Sequence, residues 1–177
     1  MRELGSAMPA FRLVDTTKDE TFDSSSLHGS IAIVAFICNH CPFVVHLKPQ
    51  LAQFGRYCQD AGAAMVAISS NDVDEYPDDS PEKMKADALQ FGYPFPYLYD
   101  ESQDIARAFD AACTPDFFVF DKAGKLAYRG QFDDSRPGNG IPVTGNDLRS
   151  AVETLLAGGT PSSEQKPSIG CNIKWKR

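Results

Sequence analysis

Tryptophan occurs once in this 177-residue chain and histidine three times, and no apolar run approaches the ~20 residues that a membrane-spanning helix needs. Met1 to Pro9 also lack the apolar stretch of a signal peptide, so the expected location is cytoplasmic, with no membrane partner. Positive charge is scarce: 17 Lys and Arg stand against 24 Asp and Glu, a net charge of −7. With no basic stripe to neutralise phosphates, nucleic acid is excluded as a partner. There is no internal repeat and only one Cys-x-x-Cys pair. The chain is long enough to bury an ordinary core, and five cysteines in a reducing compartment do not suggest a structural disulfide framework.

What is present is concentrated at Cys38-Asn39-His40-Cys41. The preceding run, Ile31 to Ile37, has no polar side chain and reads as a central strand covered on both faces. After it, Val44, Leu47, Leu51, Phe54 and Cys58 form one apolar stripe of a helix spanning Pro42 to Cys58, kinked or interrupted at Pro49. Cys58, on that stripe, reads as a small core residue. At a strand-to-helix junction the first sulfur, Cys38, is expected to be exposed beside unpaired backbone N–H groups, which favour a thiolate. Cys41 is expected a turn deeper, within reach to close a ring. That order makes Cys38 the nucleophile and Cys41 the resolving thiol.

The remaining pattern is a short hairpin (residues 11–15 and 20–22), a helical turn near 24–27, and a second apolar strand at 63–68. A loop at 71–80 leads to a helix opened by Ser80-Pro81-Glu82 and stopped by Gly92. A short strand (97–99), a short helix (102–109), a hairpin (116–121 and 125–129), a loop (133–145) and a helix (147–157) follow. Residues 1–159 are expected to form one domain, and 160–177 a tail containing Cys171.

This order, with the cysteine pair, resembles the thioredoxin superfamily, and within it the AhpC/TSA branch and its TlpA/ResA-like thiol-disulfide oxidoreductases. Besides Cys38-Asn-His-Cys41, the resemblance rests on Thr114-Pro115 before Asp116-Phe-Phe-Val-Phe, the Phe120-to-Lys125 hairpin and the opening Pro9-to-Asp15. It implies an α/β thioredoxin-like fold, a central mixed β-sheet flanked by helices with an N-terminal β-hairpin extension. The implied chemistry is dithiol–disulfide exchange without cofactor or metal. Its partners would be protein or small-molecule disulfides and thiols, with a reductase or thiol donor. His40 stands where thioredoxins carry proline, and is expected to favour a Cys38 thiolate and raise the potential above about −270 mV, toward −180 mV. Thr114-Pro115 is similar to the cis-proline turn facing the cysteines, whose Thr114 backbone would pair with an extended substrate.

Departures accompany the resemblance. The buried acid six residues before the nucleophile is Ala32, and the tryptophan before it is Ile37. Peroxiredoxins carry threonine three residues before their peroxidatic cysteine; relative to Cys41 that residue is Cys38. Cys113, beside the cis-proline, and Cys171, in the tail, are candidate additional redox thiols, with packing as the alternative. Cys171 is expected to dock beside Cys38 or else to be passive while Ile173 and Trp175 pack. Three other functions fit less well: thiol-dependent peroxide reduction, soft-metal binding through Cys38, Cys41 and His40 or His46, and a redox-silent interaction domain.

Overall fold

A computed structural model describes residues 2–177. Strands β1 (Arg12–Asp15) and β2 (Glu20–Asp23) form the N-terminal hairpin, followed by a 3₁₀ turn at Ser24–Leu27. Then come β3 (Ala32–Phe36), α1 (Pro42–Val45), α2 (Lys48–Ala61), β4 (Ala64–Ser69), α3 (Pro81–Phe91), β5 (Tyr97–Tyr99) and α4 (Asp104–Ala108). The chain continues through β6 (Cys113–Thr114), β7 (Asp116–Phe120), β8 (Leu126–Gly130), α5 (Asn146–Leu156) and β9 (Cys171–Asn172). Seven strands form one mixed sheet in the order β2-β1-β5-β4-β3-β7-β8, and β6 pairs with β9 in a separate ribbon. This is the thioredoxin-like α/β fold. Among the described residues no helix is long and apolar enough to cross a membrane.

Strand alternation divides the core. Ile33 and Ala35 of β3 and Phe117 and Val119 of β7 face the layer built by α2, α3 and α5. Val34, Phe36, Phe118 and Phe120 face the other side, where Phe109, following α4, meets Phe36, Phe118 and Phe120 edge-on. Because both faces are covered, β3 and β7 are buried throughout, which is why β3 reads as an unbroken apolar run and β7 as one after Asp116.

The helix break after the cysteines falls at His46–Leu47, upstream of Pro49. Proline has no N–H and its ring would strike the carbonyl four residues earlier, so a new helix starts that places Pro49 in its first turn, where neither matters. α3 begins and ends as its residues predict: Ser80 Oγ accepts from Lys83 N–H at 3.3 Å, and Gly92 closes the helix at φ 67°.

The tail does not hang free. The Gln165 side-chain amide brackets β8, accepting from Arg129 N–H (2.9 Å) and donating to the Ala127 carbonyl (3.0 Å), and Gln131 N–H reaches the Lys166 carbonyl (3.0 Å). Beyond β9, Ile173 is buried in the second core layer, worth about 1.5–3 kcal/mol if fully removed from water. Lys174 N–H donates to Asn71 Oδ1 (2.9 Å) and its carbonyl accepts from Asp72 N–H (2.8 Å).

Candidate active site

β3 carries the chain to Cys38 at the end of the sheet, and Cys41 caps α1. Both sulfurs are enclosed, with Cys38 1% and Cys41 0% exposed. The expectation of an exposed Cys38 is therefore corrected. The Asn39-His40 turn is drawn inward rather than projected into solvent, and the helix-terminal position belongs to Cys41.

A carboxylate from a distant loop does the drawing. Asp79, completely buried, accepts from Asn39 N–H (2.8 Å) and His40 N–H (3.3 Å) through Oδ1, and from Asn71 Nδ2 (2.9 Å) through Oδ2. His40 Nδ1 lies 2.6 Å from Asp79 Oδ2, and the imidazole stacks on Tyr76. Asn39 is tied at its remaining polar groups: Nδ2 to the Asp78 carbonyl (3.0 Å), Oδ1 from the Tyr97 hydroxyl (2.9 Å), and its own carbonyl from Lys48 Nζ (2.7 Å). Lys48 is itself buried and paired with Asp87 at 2.5 Å. Asp79, Asn71, Lys48 and Tyr97 were not legible as site residues: Asp79 and Tyr97 reach the turn from 40 and 58 residues away, and Asn71 and Lys48 act on partners eight and nine residues away that share no element with them. The only local signal is a lysine close to the buried stripe of α2.

The Thr114–Pro115 peptide is cis and faces the pair. Thr114 Oγ1 lies 3.6 Å from Cys38 Sγ, and the Thr114 carbonyl oxygen 3.4 Å from Cys41 Sγ. Cys41 N–H points at Cys38 Sγ at 3.3 Å. The Thr114 edge expected to receive a substrate is taken by the chain's own tail: Thr114 pairs with Cys171 and Cys113 with Asn172, antiparallel. This brings Cys171 Sγ to 2.7 Å from Cys41 Sγ, so the tail cysteine docks at Cys41 rather than beside Cys38. Cys113 instead directs its thiol at the Pro115 (3.5 Å) and Ser168 (3.8 Å) carbonyls, and burial pushes it up to about 12. Burial likewise pushes Cys58 up to about 12, in keeping with a packed core thiol. His46 Nε2 pairs with Ser135 Oγ at 2.7 Å.

The two motif cysteines share one negative charge. Hydrogen bonding from Cys38, opposed by burial and joined by Cys171 and Thr114, brings Cys41 down to about 4. Cys38 is pushed upward by that same contact with Cys41, then by burial and by the Asp79 charge. In the resting dithiol these contacts favour the charge on Cys41 over Cys38. Asp116, at the start of β7, is raised to about 6 mainly by burial, with Arg129 3.6 Å away. The ultraviolet thiolate absorbance of the reduced chain is therefore expected to show one charge appearing as pH rises through about 4. A second should be absent until strongly alkaline pH. A first step near the free-cysteine value of about 8.5 would contradict the shared charge.

Cys38 Sγ, a His40 ring nitrogen and an Asp79 oxygen lie within 4.8 Å of one another, a donor set of the kind that holds a transition metal. That set keeps Cys38 and His40 of the expected combination of Cys38, Cys41 and His40 or His46, but has Asp79 in place of Cys41, and its His40 Nδ1 is already paired with Asp79.

Comparison with known proteins agrees with the fold. Superposed on an uncharacterized conserved protein from Geobacillus kaustophilus, the chain is 50% identical with a TM-score of 0.97, over 99% of this chain and 94% of that one. A hypothetical protein from Sinorhizobium meliloti 1021 gives 46% identity and 0.96, over 99% and 96%. A thiol:disulfide interchange protein of the thioredoxin family from Chlorobium tepidum TLS shares the fold at 21% identity and 0.67, over 88% and 99%. No curated protein matches the chain. Residues 4–129 match the model of the AhpC/TSA family, and the chain belongs to that family.

Proposed function

We propose that the protein is a thiol-disulfide oxidoreductase in which Cys38 and Cys41 alternate between dithiol and disulfide without a bound cofactor. The observation that carries this reading is the placement of both thiols against the cis Thr114–Pro115 turn, with Cys41 N–H 3.3 Å from Cys38 Sγ and Thr114 in contact with both sulfurs. Ala32 offers no base, but the Cys41 sulfur, which the Cys38 thiol hydrogen-bonds, can take that proton as the attack develops. Cys41 N–H and the Thr114 hydroxyl then hold the Cys38 thiolate as it attacks a substrate disulfide. One substrate sulfur bonds to Cys38 and the other leaves as a thiolate that takes the proton from Cys41. Cys41 then attacks Cys38 Sγ, closing the Cys38–Cys41 disulfide and releasing the second substrate thiol. Two electrons pass from the pair to the substrate. His40, fixed by Asp79, is the residue proposed to tune the pair, and disulfide-bearing proteins or small molecules are the proposed substrates.

The test is stopped-flow mixing of reduced protein with a model disulfide and, separately, with hydrogen peroxide. Fast disulfide exchange is expected to be lost in Cys38→Ser, which keeps only slow oxidation through the enclosed Cys41, and to stall as a mixed disulfide on Cys38 in Cys41→Ser. Peroxide consumption far above that of a free thiolate would move the protein to the thiol peroxidases. Inertness toward both reagents would sink the exchange reading and turn attention to metal binding at Cys38, His40 and Asp79.

A further inference from the structure

We infer that Cys171 is a third redox thiol of this site, one that takes Cys41 over from Cys38 and carries the disulfide to the protein surface. This rests on the oxidoreductase reading above and adds a step to it.

Access is the first reason. Cys38 and Cys41 are sealed, whereas Cys171 is partly exposed. Of the three sulfurs it is the one an outside thiol reaches without displacing the tail. Position is the second. β9 lies antiparallel to Cys113–Thr114, the edge that would otherwise bind an extended substrate, so the tail presents Cys171 as such a substrate presents its own cysteine. The Cys41–Cys171 sulfur separation of 2.7 Å is beyond a covalent bond of about 2.05 Å and within reach of forming one.

The third reason is that this approach is built in. A Cβ on Gly170 would collide with the Thr114 carbonyl, and one on Gly130 with the Lys166 carbonyl. Glycine at both places lets the tail lie against the body where any side chain would lift it. Ile173 and the Asn71–Lys174 hydrogen bond fasten the other side of β9. A surface segment with a passive cysteine needs neither close approach.

The step balances without an outside reagent. With Cys38–Cys41 oxidised, Cys171 sulfur attacks Cys41 Sγ, the Cys38–Cys41 bond breaks and the Cys41–Cys171 bond forms. The proton lost by Cys171 ends on Cys38, and the number of disulfides is unchanged. Burial and the charge on Cys41 hold Cys171 up at about 11 in the dithiol. The second cause vanishes once Cys41 is in a disulfide, so Cys171 ionises more readily when it is needed. A thiol donor then reduces Cys41–Cys171 from the exposed side.

The experiment is peptide mapping by mass spectrometry on the full chain and on Cys38→Ser, each oxidised with oxidised glutathione, acid-quenched and alkylated. A Cys38–Cys41 bridge stays inside one tryptic peptide, while a bridge to Cys171 joins two. The expected result is a joined pair in both proteins, with Cys38 alkylated in that fraction of the wild type and no glutathione retained on Cys41 in the variant. If wild type carries only the internal bridge, and Cys171 is alkylated in both proteins, the inference is overturned and the oxidoreductase reading stands. If all the thiols are alkylated after oxidation, both are overturned.

Discussion

Asp79→Ala is expected to destabilise the reduced protein by about 3–5 kcal/mol, because three buried donors lose a charged acceptor together. For a domain of this size that lowers the thermal midpoint by roughly 10 °C. The donors are Asn39 N–H, His40 N–H and Asn71 Nδ2, and water has no route to a carboxylate that is wholly enclosed. The damage should not stay local. Asn71 also accepts from Lys174 N–H, so the carboxylate ties the cysteine turn to the tail through one side chain. Asp79→Asn separates the charge from the contacts: Oδ1 can still accept both backbone N–H groups, while the negative charge that raises Cys38 is gone. That variant should retain most of the fold and bring the second thiolate in at lower pH. Chemical denaturation and thiolate titration of both variants provide the check. A loss below about 1 kcal/mol in the alanine variant would mean that the turn does not depend on Asp79.

Gly170→Val should free the tail strand. The added atoms meet backbone of Thr114, which has no flexible end to yield, so a penalty of about 1–3 kcal/mol falls on the docked state. With each 1.4 kcal/mol worth about a factor of ten, local opening of the tail should become roughly tenfold to a hundredfold more frequent. Amide hydrogen exchange over residues 171–176 measures this directly, since Lys174 and Lys176 N–H are bonded only while the tail is docked. Exchange equal to wild type would show that β9 tolerates a side chain at 170. The α/β body should keep its protection in either case, because its core layers are complete apart from Ile173.

How far the sequence could be read depended on the range of the interaction. β3, β7 and α3 were legible because their signals are local: unbroken apolar runs for strands covered on both faces, and Ser80 and Gly92 at the two ends of a helix. The order of elements came from local pattern and the cis form of Thr114-Pro115 from resemblance, and the observed structure agrees with both. The burial of Cys38 was not legible. It follows from Asp79, 40 residues beyond Asn39, whose sequence neighbourhood looks like any polar loop. The docking of Cys171 at Cys41 joins residues 130 apart through a two-residue strand, too short to leave a periodic trace. Pro49 shows a milder shortfall: the residue announced a break, and steric reach placed that break upstream.

The course of residues 165–168 along β8 has a bearing on association between molecules. β8 ends the seven-stranded sheet, and a terminal strand with unpaired backbone groups is a template for another chain. Here the Gln165 amide stands in for a peptide unit, the Lys166 carbonyl accepts from Gln131, and Ser168 Oγ donates to the Gly130 carbonyl at 2.6 Å. The segment that delivers Cys171 to Cys41 therefore also covers the β8 edge of the sheet against edge-to-edge growth. Any event that lifts the whole tail would expose a sticky border as well as a thiol, which sets a limit on how far redox chemistry can move this segment.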